Sequence, residues 1–141
     1  MPATATRLMA ASVPPESRLA RGRGIAAVVT VLLLCMLLHC KNADAASYTV
    51  GDAAGWTFNV QNWPKGKSFK AGDVLVFNYI PLFHNLVVVD KEGYDACRAA
   101  GDAKKFQTGK DSITLVKGGN YFICTFPFHC RLGMKIAVNA S

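Results

Sequence analysis

The chain has 141 residues, a formal net charge of +7 at pH 7 and a hydrophobic content of 51%. This length suits one domain with a modest core, and the lysines are scattered along it. With no basic cluster or aromatic-basic stripe, the composition argues against a nucleic-acid-binding protein, whereas an acidic partner or an anionic cell-wall polymer is compatible with the charge.

Residues 1–45 are predicted to be a secretory signal peptide that is cleaved from the mature protein. Arginines outnumber acids before a mostly apolar run at 25–38, and a short polar stretch then ends in Ala43-Asp44-Ala45. This order of basic, apolar and small-residue segments is typical of secretory signals. The apolar run is shorter than the roughly 20 residues of a membrane-spanning helix. The sequence also lacks the apolar C-terminal tail that would signal a lipid anchor. We expect cleavage after Ala45, a secreted domain at 46–141 and no membrane anchor.

The rest of the chain reads as short apolar or alternating runs separated by Gly, Pro, Asn and Asp. Such spacing is typical of an all-β sandwich or barrel, here with seven or eight strands. The predicted strand regions, in chain order, are residues 48–50, 55–60, 74–79, 86–89, 113–116, 121–123 and 135–138. Residues 117–120 are predicted to turn a hairpin, and residues 94–100 and 102–106 are the places where one or two helical turns are expected.

The cysteines of the predicted domain are odd in number. Cys35 and Cys40 belong to the predicted signal peptide, which leaves Cys97, Cys124 and Cys130. Secreted chains usually pair their thiols, so an odd count needs a reason. A Cys97–Cys130 bridge leaves Cys124 free and fixes the segment that follows it, whereas either bridge to Cys124 leaves the third cysteine unexplained. The sequence favours the first pairing and leaves the connectivity open.

Soft metal ligands are concentrated in the segment CTFPFHCRLGM at 124–134. Cys124, His129 and Met134 follow one another with four residues between each pair, and the remaining histidine of the predicted domain is His84. Two histidines, one cysteine and a weak axial methionine are the ligands of a blue copper site. We therefore predict one copper ion with Cys124 as thiolate, His84 and His129 as imidazoles, and Met134 as the weak axial ligand.

Each of these residues also has a structural explanation when it is taken singly. His84 is read as an ordinary structural histidine, Met134 as core filler, and Cys124 as a small buried hydrophobe. Their joint occurrence favours a metal site, and a thioether is not a usual zinc ligand. A copper oxidase needs more histidines, and a thiol hydrolase built on Cys124 and His129 has no clear orienting group. We therefore expect a protein that is not an enzyme.

The motif YFICTFPFHCRLGMKIAVNA resembles the phytocyanins, the blue copper proteins of plants, and within them the plantacyanin (basic blue) subgroup. The upstream motifs YTVGD, GW, FNVQNWPKGKSFKAGDVLVFNY, HN and GYDAC are similar as well, so the resemblance extends over 46–141. It implies a Greek-key cupredoxin sandwich. It also implies copper ligation by His84, Cys124, His129 and Met134, and a Cys97–Cys130 disulfide. Met134 favours the plantacyanin subgroup, since stellacyanin-like members carry Gln at this position.

The function that this resemblance implies is that of a small monomeric electron carrier in the apoplast or cell wall. Its redox partner is a protein or a small reductant that the sequence does not name. Asn85 is expected to hydrogen-bond near the Cys124 sulfur and to tune the site. The outer edge of His129 is expected to lie close to the surface among apolar residues suited to brief docking, namely Leu82, Phe83, Pro127 and Phe128.

Two points remain open at this level. An extracellular signalling or cell-wall protein, in which copper is structural, is the alternative function, because a fold and a metal do not fix a biological role. Phe128 departs from the subgroup, which often has Gly before the ligand histidine, where φ can be positive without steric cost. We expect its ring to affect the backbone of the loop or the exposure of His129.

Overall fold

The computed structural model of the protein describes residues 19–39 and 44–141. Helix α1 spans Leu19–His39 and contains the apolar run at 25–38. Among the described residues, no helix has the length and hydropathy of a membrane span. Residues 1–18 and 40–43 of the predicted signal peptide lie outside the described ranges. The signal peptide and its cleavage after Ala45 therefore stay predictions.

Residues 44–141 form a separate unit built from two β-sheets. In the first sheet, β2 (Val74–Asn78) lies between β1 (Ser47–Thr49), which is parallel to it, and β5 (Lys110–Thr114), which is antiparallel. The second sheet is antiparallel, in the order β4-β3-β6-β7. Its strands are β3 (Leu86–Val89), β4 (Lys105–Phe106), β6 (Gly118–Ile123) and β7 (Lys135–Ala140). The described part of the chain thus contains an all-β sandwich of seven strands, as predicted.

The core lies between the two sheets and follows the alternation of the strands. Leu75 and Phe77 of β2 are fully buried, and so are Phe122 of β6 and Ile136 of β7. The Phe77 and Phe122 rings, one from each sheet, have centroids 5.1 Å apart. Burial of such side chains contributes about 1.5–3 kcal/mol each to folding. The ends of the strands that carry the candidate ligands are therefore held by a close-packed core.

The prediction of a strand at 55–60 is wrong. A 3-10 turn at Asp52–Ala54 precedes this segment, and irregular backbone follows. Gly55 and Asn59 have φ of +73° and +58°, in the left-handed region that interrupts an extended strand. Trp56 and Val60 are nevertheless buried, so the apolar pattern reflected packing rather than strand pairing.

The predicted hairpin at 117–120 is also wrong. Strand β5 pairs with β2, whereas β6 pairs with β3 and β7, so the segment between them passes from one sheet to the other. The Asn120 side chain organises this crossing, because its Oδ1 accepts the Val116 N–H at 3.0 Å and its Nδ2 donates to the Val116 carbonyl at 2.8 Å. Gly118 and Gly119 belong to β6 instead of forming a turn.

The helical prediction was right in kind and displaced in position. Helix α2 spans Lys91–Ala96, because the Asp90 side chain caps its start by accepting the Gly93 N–H at 2.7 Å. It ends at Cys97, whose φ of +51° is left-handed. The second predicted turn, at 102–106, contains the short strand β4 instead.

Candidate metal centre

The segment from Cys124 to Met134 closes between two neighbouring antiparallel strands. Cys124 directly follows β6 and Met134 directly precedes β7, and the Cys124 N–H donates to the Met134 carbonyl at 3.1 Å. Inside the loop, the Met134 N–H donates to the His129 carbonyl at 3.0 Å. Strand pairing therefore fixes the two ends of this ligand loop, and the loop's own hydrogen bonds fix His129 within it.

His84 approaches from a different part of the chain. It lies just before β3, and its backbone N–H donates to the Ile80 carbonyl at 3.1 Å. Because β3 pairs with β6, the residues that precede β3 lie beside the residues that follow β6. This pairing is the reason that a histidine 45 positions away in sequence reaches His129.

Three candidate ligand atoms converge at this point. The ligand atoms of His84, Cys124 and His129 all lie within 4.8 Å of one another. The Nδ1 atoms of the two histidines are 3.2 Å apart, and the Cys124 Sγ is 3.5 Å from the His129 Nδ1. The structure thus indicates which imidazole nitrogen faces the site in each histidine, a detail that the sequence did not contain.

Without a metal, the electrostatics of the site favour a neutral imidazole at His84 and a protonated thiol at Cys124. Burial, together with the neighbouring His129, lowers the pKa of His84. Burial raises the pKa of the Cys124 thiol, although the backbone N–H groups of Asn85 and Phe126 act in the opposite direction by bonding its sulfur. Metal ligation needs neutral histidine and thiolate, and a bound cation offsets the cost of burying that thiolate. One soft sulfur with two imidazoles is a donor set that suits copper.

Met134 lies beside Cys124 in the same buried apolar cluster, and its side chain is fully inaccessible to solvent. A thioether has no need of a hydrogen-bond partner, so this environment suits either a core methionine or a weak ligand. The hydrogen bond from the Cys124 N–H to the Met134 carbonyl keeps this fourth predicted residue next to the candidate thiolate along the backbone. Ligation of copper by His84, Cys124, His129 and Met134 stays a prediction.

Asn85 connects the two loops of the site. Its backbone N–H lies near the Cys124 sulfur and acts to lower the pKa of that thiol, and its side chain binds Thr125 twice. The Asn85 Oδ1 accepts the Thr125 N–H at 2.8 Å, and the Asn85 Nδ2 donates to the Thr125 Oγ1 at 2.7 Å. Thr125 was missed by the sequence analysis, although it is the polar side chain that directly follows the candidate thiolate.

An aromatic ring covers both histidines. The Phe58 ring lies edge-on to His84 at 5.6 Å and to His129 at 4.7 Å between centroids. Such packing restricts the rotation of both imidazoles and limits the access of water. Phe58 was also missed, because it belongs to the irregular segment that the apolar pattern presented as a strand.

A disulfide supports the ligand loop from outside. Cys97, at the C-terminal end of α2, is bonded to Cys130, the residue after His129, and Cys124 is free and buried. This is the pairing that the sequence favoured and the resemblance implied, and it is confirmed. The bridge joins the ligand loop covalently to α2, so the position of His129 depends on a second element besides the strands.

An exposed apolar patch of four residues lies next to the candidate ligands, formed by Leu82, Phe83, Pro127 and Phe128. Leu82 is 80% exposed and Phe128 is 75% exposed. Two of the residues directly precede His84 and two directly precede His129, so the patch lies where the two histidines meet. Phe128 has a φ of +68°, which means that the loop keeps a backbone conformation suited to Gly in spite of the bulky side chain.

Comparisons with known proteins agree with this geometry. The family model of the plastocyanin-like domain matches residues 56–134. A basic blue protein of Arabidopsis thaliana is 53% identical over 128 residues, which cover 86% of this chain and 99% of that relative. The solved structure of cucumber basic protein, a blue copper protein, is 56% identical with a TM-score of 0.67, over 68% of this chain and 100% of its own. Spinach plantacyanin is 52% identical with a TM-score of 0.62, over the same shares.

Proposed function

The chain belongs to the phytocyanin family, in its basic blue (plantacyanin) subgroup, and from this premise we propose that it is a secreted type 1 copper protein that carries single electrons. One observation carries this proposal most directly. The ligand atoms of His84, Cys124 and His129 converge within 4.8 Å from two separate loops. A free thiol held beside two imidazoles in a disulfide-containing domain has its simplest explanation in a metal ion.

The protein holds its donors in fixed positions. When bound, copper supplies the exchange of one electron between its cupric and cuprous states. Cys124 supplies the thiolate, His84 and His129 supply the imidazoles through Nδ1, and Met134 supplies a weak thioether donor. The Asn85–Thr125 hydrogen bonds and the packing of Phe58 hold these donors in one arrangement. A site that does not rearrange between oxidation states exchanges electrons with a small barrier.

Electrons enter and leave through the edge of the site that carries the exposed apolar patch. His129 is only partly buried, and Leu82 and Phe128 project beside it into solvent. An apolar patch next to a redox centre suits brief contact with a partner protein or a small reductant, since it desolvates easily and holds no specific charge. The protein acts in this scheme as a monomeric carrier and not as an enzyme.

Secretion explains both the predicted signal peptide and the disulfide. Disulfides persist in oxidising compartments, and the Cys97–Cys130 bridge stabilises a small domain there. Cleavage after Ala45 leaves Ala46 as the first residue, immediately before β1. The Ala46 nitrogen donates to Asp73 Oδ1 at 2.9 Å, so the new N-terminus is held against the domain from its first atom.

The test is a titration of the purified domain at 46–141 with cupric salt. We expect an intense blue absorption that saturates at one copper per chain, is bleached by one electron equivalent and returns on oxidation. Cys124→Ser must lose the colour, while its melting transition without copper stays close to that of the copper-free wild type. A colourless metal-bound wild-type protein favours a zinc or structural site and contradicts the proposal.

A role in binding anionic cell-wall polymer is the second candidate function. Three exposed lysines, Lys65, Lys67 and Lys70, lie within six positions of one another, away from the ligand loop in sequence. Exposed lysine side chains attract an acidic polysaccharide, and salt weakens this attraction. The redox-silent Cys124→Ser variant separates the two functions, because full biological activity in this variant favours the cell-wall role with a structural copper site, and its loss favours electron transfer.

A further inference from the structure

Trp56 contacts Asn85, the residue after the candidate ligand His84, and is not itself a predicted ligand. Its side chain is 1% exposed, and its indole Nε1–H donates to the Asn85 carbonyl at 2.9 Å. Its ring lies edge-on to Phe77 with centroids 5.1 Å apart, and its backbone N–H donates to the Asn78 carbonyl at 2.8 Å. The indole is therefore fixed to the first sheet at both its backbone and its ring.

The backbone before Trp56 strengthens this anchor. Gly55 has a φ of +73°, and a Cβ at this position would lie 2.6 Å from the Asn78 carbonyl oxygen. The close approach is open only to glycine, and it brings the Trp56 segment directly against the end of β2. Since this segment cannot shift easily, the direction of the indole N–H is set by the first sheet and not by the two loops that carry the candidate ligands.

Asn85, the residue that receives this hydrogen bond, is held at three points. Its backbone N–H faces the Cys124 sulfur, its side chain bonds Thr125, and its carbonyl accepts from Trp56. The residue is 7% exposed, so each of these groups needs a partner inside the protein. Of these three contacts of Asn85, only the hydrogen bond from Trp56 comes from outside the two loops that carry the candidate ligands.

We propose that Trp56 is a positioning residue for electron transfer, whose indole N–H fixes the Asn85 backbone so that the Asn85 N–H stays directed at the Cys124 sulfur. This inference rests on the proposed copper site. An N–H dipole directed at the sulfur stabilises the more negative, reduced state of the site, and it therefore raises the reduction potential. Loss of the indole N–H leaves a buried carbonyl unpaired, and rotation of Asn85 toward a new partner weakens the bond to sulfur.

Trp63 provides a matched control. It packs against the same core cluster as Trp56, and its Nε1 is buried with no hydrogen-bond partner in the described part of the chain. Trp56→Phe and Trp63→Phe both remove one indole N–H and the same side-chain volume, from a buried position at Trp56 and a partly buried one at Trp63. Only the first removes a hydrogen bond to Asn85.

The experiment measures the reduction potential and the sulfur-to-copper absorption band of the two copper-loaded variants. We expect Trp56→Phe to lower the potential and shift the band, and Trp63→Phe to leave both at the wild-type values. Equal effects of the two substitutions, or none from Trp56→Phe, would overturn the proposal. If Trp56→Phe does not fold, benzothienylalanine at position 56 keeps the shape of the ring and removes only the N–H.

Amide hydrogen exchange of the copper-free proteins gives a second readout. We expect the Asn85 and Thr125 amides to exchange about tenfold faster in Trp56→Phe than in Trp63→Phe, because loss of one buried hydrogen bond changes local opening by that order. Unchanged exchange at both amides contradicts the inference. A colourless wild-type protein would instead overturn the proposed function, and the exchange measurement still decides whether Trp56 holds Asn85.

Discussion

The Nδ1 atom of His84 lies 3.2 Å from the Nδ1 atom of His129, although 45 positions separate the two residues in sequence. Two imidazoles at this distance cannot both be protonated without strong repulsion, and the pKa of His84 is accordingly lowered by burial and by His129. The two imidazoles can therefore bind one cation between them, whereas they cannot both hold a proton.

Copper binding at pH 8 should release about one proton per chain, and this proton comes from Cys124. Burial raises the pKa of its thiol above the usual 9.0, so the copper-free residue is protonated at this pH, whereas the lowered pKa of His84 leaves that imidazole already neutral. Calorimetric titrations in buffers of different ionisation enthalpy give the number of protons. Cys124→Ser should lose this release, and a wild-type value of zero would mean that the thiol is already ionised.

Met134 should set the potential without holding the fold together. Met134→Gln replaces a weak sulfur donor by an amide oxygen that favours the cupric state, so we expect a lower reduction potential. Met134→Leu removes the axial donor and should raise it. Leucine is close to methionine in volume, so this second change should cost less than about 1.5 kcal/mol of unfolding free energy. Voltammetry together with chemical denaturation checks both statements, and a potential unaffected by either change would remove Met134 from the ligand set.

Phe128→Gly should be better tolerated than glycine elsewhere on the ligand loop. Phe128 has a left-handed backbone at φ +68°, where a non-glycine residue costs about 1–2 kcal/mol, so glycine relieves this strain while it adds entropy to the unfolded chain. We expect an unfolding free energy within about 1 kcal/mol of the wild-type value, on the stable side.

Leu132→Gly is the control for this prediction. Leu132 is exposed on the same loop and is not among the described non-glycine residues with positive φ. Glycine at this position relieves no strain and should destabilise the domain by about 0.5–1 kcal/mol. If denaturation shows equal losses for the two variants, the strain assigned to Phe128 is absent.

Asp73 should make the stability of the domain sensitive to acid. Its carboxylate accepts the N–H groups of Ala46 at 2.9 Å and Lys70 at 2.8 Å, and the Lys70 bond is the largest of the causes that lower its pKa below the usual 3.8. A lowered pKa contributes stability that is complete above pH 3.8 and is lost as the pH falls through the folded-state value.

The Asp73→Asn variant should therefore be less stable than wild type at pH 7 and should lose less on acidification. Asp102→Asn is the control, because Asp102 is exposed. Urea denaturation between pH 7 and pH 2 checks both profiles, and parallel profiles for wild type and Asp73→Asn would contradict the assignment. If cleavage follows Ala45, the Ala46 nitrogen is an ammonium, and N-acetylation of the processed domain should lower its stability as well.

The parts of the structure that depend on residue type were predictable from the sequence. The Cys97–Cys130 bridge was favoured by the odd cysteine count and implied by the resemblance, and the two-sheet sandwich followed from short apolar runs with regular breaks. The cupredoxin form of this sandwich, which the resemblance implied, is confirmed by the similarity to two solved members of the family. The copper cofactor followed from the chemistry of one free thiol, two imidazoles and a thioether.

The parts that depend on long-range packing were not predictable. The segment at 55–60 has the apolar residues of a strand, but the left-handed backbone of Gly55 and Asn59 and the burial of Trp56 are decided by contacts with β2. The glycines at 118 and 119 suggested a turn, whereas the pairing of β6 with β3 and β7 makes them part of a strand. The Asn85–Thr125 contact spans 40 positions and has no local signal.

The central claim is that one copper ion lies among His84, Cys124 and His129, and a crystal of the copper-loaded domain tests it most directly. Diffraction data collected on both sides of the copper absorption edge locate the metal independently of any assumed ligand. We predict a single anomalous peak per chain, bounded by the Nδ1 atoms of the two histidines and by the Cys124 Sγ. A peak at any other group of residues, or no peak in a crystal grown with excess copper, would contradict the account.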